Sequence, residues 1–431
     1  MNDFMVKVRI LLASLLALLF CSCERDGTDL TLSIGPFGDP PEETRKVMLL
    51  YEAGFNSLSD FISRNISAVR KGYLPGKERN DDVILVFSHL SKTRSDFKTE
   101  TAPSIVRIYT WRDEVQVDTL KIWPVGQPVA NAAMVTEVFN WVKESFPAAS
   151  YGAVLSSHGF GWLPAGYYSD PKKYEETDRR KYYSWDSPRF RSFGQDFYAN
   201  GTVEEEIEIK DLAASIPYHL DYILFDACFM SSVEVAWELR NVCDYLIASP
   251  CEVPGDGFDY SALAERLLKP PVPDVAGVCA DYFALYEKSI YGAAISLADC
   301  RAMDDLAAVC RTLFEEYRPA IRNLSGYSVK RFDREANHPW CAFFDLKDMM
   351  REAGATSDEL DALQAALDKV LLYENHTKQF LSSVNLENTC GLSVYLPSYP
   401  DYRDDLMHGT EFLDNFYKSE ISWNAATSLV E

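Results

Sequence analysis

Basic residues are scarce in this chain: 42 Lys and Arg stand against 65 Asp and Glu, for a formal net charge of −23. A phosphate-binding surface needs a basic face, so nucleic acid is excluded as the main partner. Several catalytic signatures are absent. No C-x-x-C pair occurs, which argues against a zinc knuckle, and there is no H-E-x-x-H zinc motif or G-x-S-x-G nucleophile elbow. Gly72 to Lys77 is one residue short of a phosphate-binding loop and ends in Glu78. No internal repeat or low-complexity tract is visible. With 47% hydrophobic and 25% charged residues over 431 positions, the chain has the make-up of a globular protein with a sizeable core.

The first residues read as a targeting signal. Lys7 and Arg9 precede an apolar run, Ile10 to Phe20, that is too short to span a bilayer and has the size of a signal-peptide core. Cys21-Ser22-Cys23 follows and resembles a bacterial lipoprotein cleavage box, with residues 1–22 removed and Cys23 carrying the lipid. The expected location is outside the cytoplasm, lipid-anchored to a bacterial membrane. Residues 23–44, polar and rich in Gly, Pro and Asp, read as a flexible tether. The eight cysteines beyond the signal sit at spacings that fix no disulfide pairing.

From residue 45 the chain alternates apolar runs with helical periodicity. Strands are expected at Val47–Tyr51, Val83–Phe87, Ile105–Tyr109, Tyr151–Ser156, Tyr222–Phe225, Tyr245–Ala248 and Ala293–Leu297. Helical spacing appears at Met134, Val135, Val138, Phe139 and Val142, and again from Val233 to Leu239. This alternation predicts an α/β fold with a mostly parallel sheet covered on both faces. Residues 166–205 lack an apolar period and read as one long loop. Pro270, Pro271 and Pro273 mark a boundary between a body at 45–270 and a mainly helical region at 271–431 that returns strands near Trp340–Phe344 and Gly391–Leu396.

In parallel sheets, functional groups gather beyond the carboxyl ends of strands. Two strand ends carry chemistry. One runs into His158-Gly159-Phe160-Gly161-Trp162, the other into Asp226-Ala227-Cys228. If those strands are neighbours, His158 and Cys228 share an edge. Ser231 and Glu234 have capping-box spacing, so a helix start close to the thiol would lower its pKa. The backbone N–H groups of Gly159 and Cys228 are candidate oxyanion donors. His89 and Cys251 also follow strands, but without flanking glycines or an immediately following capped helix.

The segments Ser156–Trp162 and Phe225–Ala236 resemble the histidine and cysteine motifs of the clostripain family of cysteine peptidases. Ala248–Pro250, Gly255–Tyr260 and Gly391–Pro397 resemble further family segments in the same order. The resemblance implies a caspase-like α/β/α sandwich. It implies His158 as general acid/base, Cys228 as nucleophile, and cleavage of protein or peptide substrates after Arg or Lys. Asp226 and Asp256 would meet the basic side chain. It also implies activation by cleavage in the loop between the motifs, which carries Lys172, Lys173, Arg179, Arg180, Lys181, Arg189 and Arg191. No cofactor is required by that chemistry; calcium, used by some relatives, is compatible with the acid surplus. Two departures stand out: Glu52–Leu58 only partly matches the family's early Asp-Asn motif, and His158 and Cys228 are 70 positions apart, a long interval. Two other readings remain open: a catalytically silent surface-binding lipoprotein on a peptidase fold, and an amidase that does not select Arg or Lys.

Overall fold

The computed structural model describes residues 45–93, 99–164, 193–197, 203–333, 343–397 and 408–431. The first twelve strands, in chain order, are β1 (Lys46–Gly54), β2 (Val83–Leu90), β3 (Ser104–Trp111), β4 (Glu114–Ile122), β5 (Ser150–Ser156), β6 (Phe193–Phe197), β7 (Val203–Ile207), β8 (Leu220–Asp226), β9 (Cys243–Ala248), β10 (Ala294–Asp299), β11 (Phe344–Asp345) and β12 (Leu371–His376), and three two-residue strands follow. Nine of them form one sheet in the order β12-β10-β9-β8-β5-β1-β2-β3-β4. The five central strands, from β9 to β2, run parallel, and antiparallel strands extend both edges.

Helices cover both faces, which explains why the central strands read as continuous apolar runs. On β1 all nine residues are buried. Its alternate side chains feed two separate cores. Val47, Leu49 and Tyr51 meet Val135, Val138, Phe139 and Val142 of the helix Ala132–Ser145. Met48 and Leu50 face the other layer, with Ile62 of the helix Ser59–Val69, Leu263 of Tyr260–Leu267 and Tyr282 of Val275–Tyr286. The three-layer α/β/α architecture is that expected from the sequence.

Two expectations need correction. The stretch 166–205 is not loop throughout: β6 lies in it and pairs antiparallel with β7, which starts at its end. β4, which the apolar pattern missed, is an edge strand that stays mostly exposed, so no buried run marks it. The strands near 344 and 393 are two residues each and pair with one another, outside the main sheet. Beyond residue 271, β10 and β12 lengthen the sheet, while Trp423 of the helix Ser422–Thr427 packs edge-on against Trp237, ring centroids 5.5 Å apart.

Candidate active site

β5 and β8 are adjacent, parallel and in register, with Ser156 opposite Asp226. His158 and Cys228 each lie two residues beyond that last pair, so the sheet itself brings the two turns together. The turns pass at backbone contact. A Cβ at Gly159 would lie 2.8 Å from the Cys228 carbonyl oxygen and 2.9 Å from the Ala227 Cβ, so only glycine fits there. Phe229, directly after Cys228, has φ of +60°, a left-handed conformation unfavourable for a bulky residue. Its ring stacks on Phe343 at 4.7 Å and contacts Phe160 at 5.1 Å, and this aromatic packing holds the turn that presents Cys228.

His158 is buried, with Nε2 2.8 Å from the Ser57 hydroxyl. Ser57 is set in place by its neighbour Asn56, which is fully buried. The Asn56 amide donates to Ala53 O at 2.9 Å, Gln195 O at 2.9 Å and Ser157 Oγ at 3.2 Å, and its carbonyl accepts from Leu58 N. One side chain thus ties the end of β1 to the end of β5 and to β6. Sequence reasoning missed Ser57; the signal available was its place in the partly matched early motif.

The Cys228 sulfur accepts a hydrogen bond from Val253 N at 3.3 Å. A backbone N–H aimed at the sulfur favours the thiolate. The segment that supplies it is held by Phe229 N donating to Cys251 O and Ser231 N donating to Ser249 O. The capping box expected from Ser231 and Glu234 is not formed. Ser232 is the cap, accepting from Val235 N at 3.2 Å, and the helix begins at Val233. Ser231 instead donates to Gly391 O, and Glu234 accepts from Tyr395 N and Tyr417 O–H. Both side chains serve contacts to the C-terminal segment, which no local pattern encodes, and the helix start lies further from the thiol than expected.

Asp226 and Asp256 occupy different environments. Asp226 is half-buried as a residue, but its carboxyl is enclosed; burial pushes its pKa up to about 6, partly offset by the Tyr260 hydroxyl, which donates at 2.7 Å. Gly257, at φ of +64°, lies so close that a Cβ there would collide with the Asp226 carboxylate. Asp256 is exposed and pairs with Arg64 at 3.1 Å. The Asp256–Gly257 turn thus passes over the Asp226 carboxyl, with Asp226 enclosed and Asp256 at the surface.

The rival candidates are otherwise engaged. His89 is clamped between Asp196 at 2.9 Å and Glu100 at 2.7 Å. Cys251 is fully buried, and burial drives its thiol pKa far upward. Lys172, Lys173, Arg179, Arg180, Lys181, Arg189, Arg191 and Cys23 lie outside the described residues. Among the described residues no cluster of three or more His, Cys, Asp or Glu is arranged to hold a metal ion, and no helix is long and apolar enough to cross a membrane. The seven described cysteines are free thiols.

The sequence model of the clostripain family matches residues 50–428. No curated protein sequence matches the chain. Among solved structures, an inactive zymogen of a C11 protease from Parabacteroides distasonis is 26% identical, with a TM-score of 0.69 over 89% of this chain and 98% of the other. A secreted C11 cysteine protease from Bacteroides thetaiotaomicron, bound to an irreversible peptide inhibitor, is 25% identical, with a TM-score of 0.66 over 89% and 98% of the two chains.

Proposed function

Because this chain belongs to the clostripain family of cysteine peptidases, we propose that it cleaves peptide bonds through His158 and Cys228, on the carboxyl side of Arg or Lys. The observation that supports this reading is the register of β5 and β8, with the turns that follow them passing at backbone contact between Gly159 and Cys228. His158 takes the thiol proton. The Cys228 thiolate attacks the scissile carbonyl, and the tetrahedral oxyanion is met by the N–H groups of Gly159 and Cys228. The imidazolium then gives its proton to the leaving amine, and the acyl-enzyme forms. Water, deprotonated by the same imidazole, releases the acid and restores the thiol. Ser57 orients the ring through Nε2, and Val253 N–H stabilises the sulfur charge. The chemistry calls on no cofactor; a calcium ion would be a structural addition.

The basic side chain of the substrate is read by Asp226 and Asp256, since a carboxylate that is costly to bury is relieved by a cation of matched geometry. Self-cleavage in the 166–205 segment activates the enzyme. The Parabacteroides distasonis relative, described as an inactive zymogen, supports an activation step. Export supported by Cys23 lipidation completes the reading, in keeping with the secreted relative. A peptide electrophile ending in Arg should label Cys228, as located by mass spectrometry; labelling elsewhere, or none, contradicts the reading and favours a silent binding protein. Equal labelling by a peptide ending in a neutral residue favours an amidase without basic selection. Intact masses decide processing: the wild type should show two chains and Cys228→Ala one.

A further inference from the structure

Ser88, Glu52, Ser156 and Asp226 pair one to the next across the four parallel strands β2, β1, β5 and β8. Residues in register on parallel strands project to the same face, so these four form a polar row at the end of an otherwise apolar layer. The helix Tyr260–Leu267 covers that row. The Tyr260 hydroxyl lies 2.6 Å from Ser156 Oγ and donates to Asp226 Oδ2 at 2.7 Å. Glu52 is left over. It is fully buried, and neither carboxyl oxygen has a hydrogen-bond partner. Ser156 is close enough to favour its ionised form, but that hydroxyl is already paired with Tyr260.

A buried carboxyl without partners is costly and needs a reason. Burial first, and the Asp226 charge second, push the Glu52 pKa well above the carboxylate range. No cation offsets them. The other titratable groups around this row are phenols: Tyr260 feels both acids, and Tyr282 and Tyr286 feel Asp226. The site is thus short of one positive charge and several donors.

We propose that Glu52 is a specificity-determining residue, a third carboxylate for the basic substrate side chain and the buried partner of Asp226, and that it selects a guanidinium over an ammonium. The proposal rests on the basic-residue reading above and deepens it. Neighbouring strands are about 5 Å apart, so the backbones of Glu52 and Asp226 stand roughly 10 Å apart across β5. The Ser156 and Tyr260 hydroxyls fill the space beside Asp226, so a planar guanidinium bridges the two carboxyls only by displacing the Tyr260 hydroxyl. Arginine carries five donors in a rigid fork and can serve Asp226 and Glu52 together. An ammonium is a compact charge on a stem of similar reach; it can satisfy Asp226 while leaving Glu52 unpaired. Tyr260 lies between the acids, and its hydroxyl yields Ser156 as the guanidinium enters. Glu52 then gives up its proton to bulk water, so arginine binding releases a proton that lysine binding does not.

The test uses the full chain and two peptides that differ only in Arg or Lys before the cut, assayed with wild type, Glu52→Gln and Glu52→Met. Rates are normalised to Cys228 titrated with a peptide electrophile, so unfolded material does not enter the comparison. The wild type should favour Arg. Both variants should lower the Arg-to-Lys ratio of kcat/KM about tenfold, the size expected for one lost charge-assisted bond. The change should sit in KM for the Arg peptide, which should also lose one proton from its pH dependence. An unchanged ratio and pH dependence in both variants, with cleavage intact, overturns this proposal alone. Failure of the wild type to cut either peptide overturns the basic-residue reading and this proposal with it.

Discussion

At the residue scale, the candidate pair was legible because glycine and polar residues follow two apolar runs. The hydrogen-bond partner of His158 was not. Ser57 lies about a hundred positions before His158 and meets it only through the fold, at 2.8 Å from Nε2. Ser57→Ala should lower kcat roughly 3- to 10-fold, the worth of one neutral hydrogen bond. It should also move the pH profile of kcat, whereas a purely structural role would lower stability and leave the profile in place. Thr at this position should restore both.

Asp226 gives a pH prediction with a definite sign. Its folded-state pKa, raised by burial to about 6, means that this carboxyl is charged above that value and neutral below it. KM for basic peptides should rise as pH falls through about 6, and KM for Asp226→Asn should be high and flat. For stability the sign is opposite. Below about pH 4 the group is protonated in both states; between about 4 and 6 only the unfolded chain ionises, so this group lowers stability as pH rises there.

At the element scale, strand existence was readable from apolar runs, and register was not. The pairing of Ser156 with Asp226 is a contact between positions 70 apart, in a sheet whose two faces pack into separate cores. The start of the helix after Cys228 was misplaced by one residue for a related reason. Ser231 and Glu234 have capping spacing, yet both are taken by residues more than 150 positions later, Gly391 and Tyr395. Local chemistry proposed a cap, and tertiary contacts used the same groups otherwise. Glu234 is fully buried with its pKa pushed up by burial to about 7, and it joins the Cys228 helix to the C-terminal segment. Glu234→Ala orphans Tyr395 N–H and Tyr417 O–H and should cost about 1–3 kcal/mol per orphaned donor in chemical denaturation. Glu234→Gln keeps an acceptor and should cost clearly less. Equal losses would show that the carboxamide cannot replace the acid there.

At the scale of the whole molecule, the α/β/α class was legible from the alternation of apolar runs and helical periods, and the exposed edge strand β4 was not, because nothing buries it. The charge was legible at once. A net charge of −23 creates a field attractive to cations, and on the proposed reading it draws cationic peptides toward Asp226 and Asp256. Raising salt from about 0.05 to about 0.5 M should lower kcat/KM for basic peptides several-fold, with little change for neutral ones, since the Debye length shrinks to a few ångströms.

The central claim is that the edge shared by β5 and β8 forms a thiol peptidase site selective for basic residues. It is tested most directly by the cleavage of peptides with Arg, Lys or a neutral residue before the cut, using purified wild type, Cys228→Ala and His158→Ala in parallel. Thiol-dependent cleavage of the basic peptides by the wild type, lost in both variants, is the predicted result. Cleavage that survives Cys228→Ala, or a wild type that cuts none of the peptides, would contradict it.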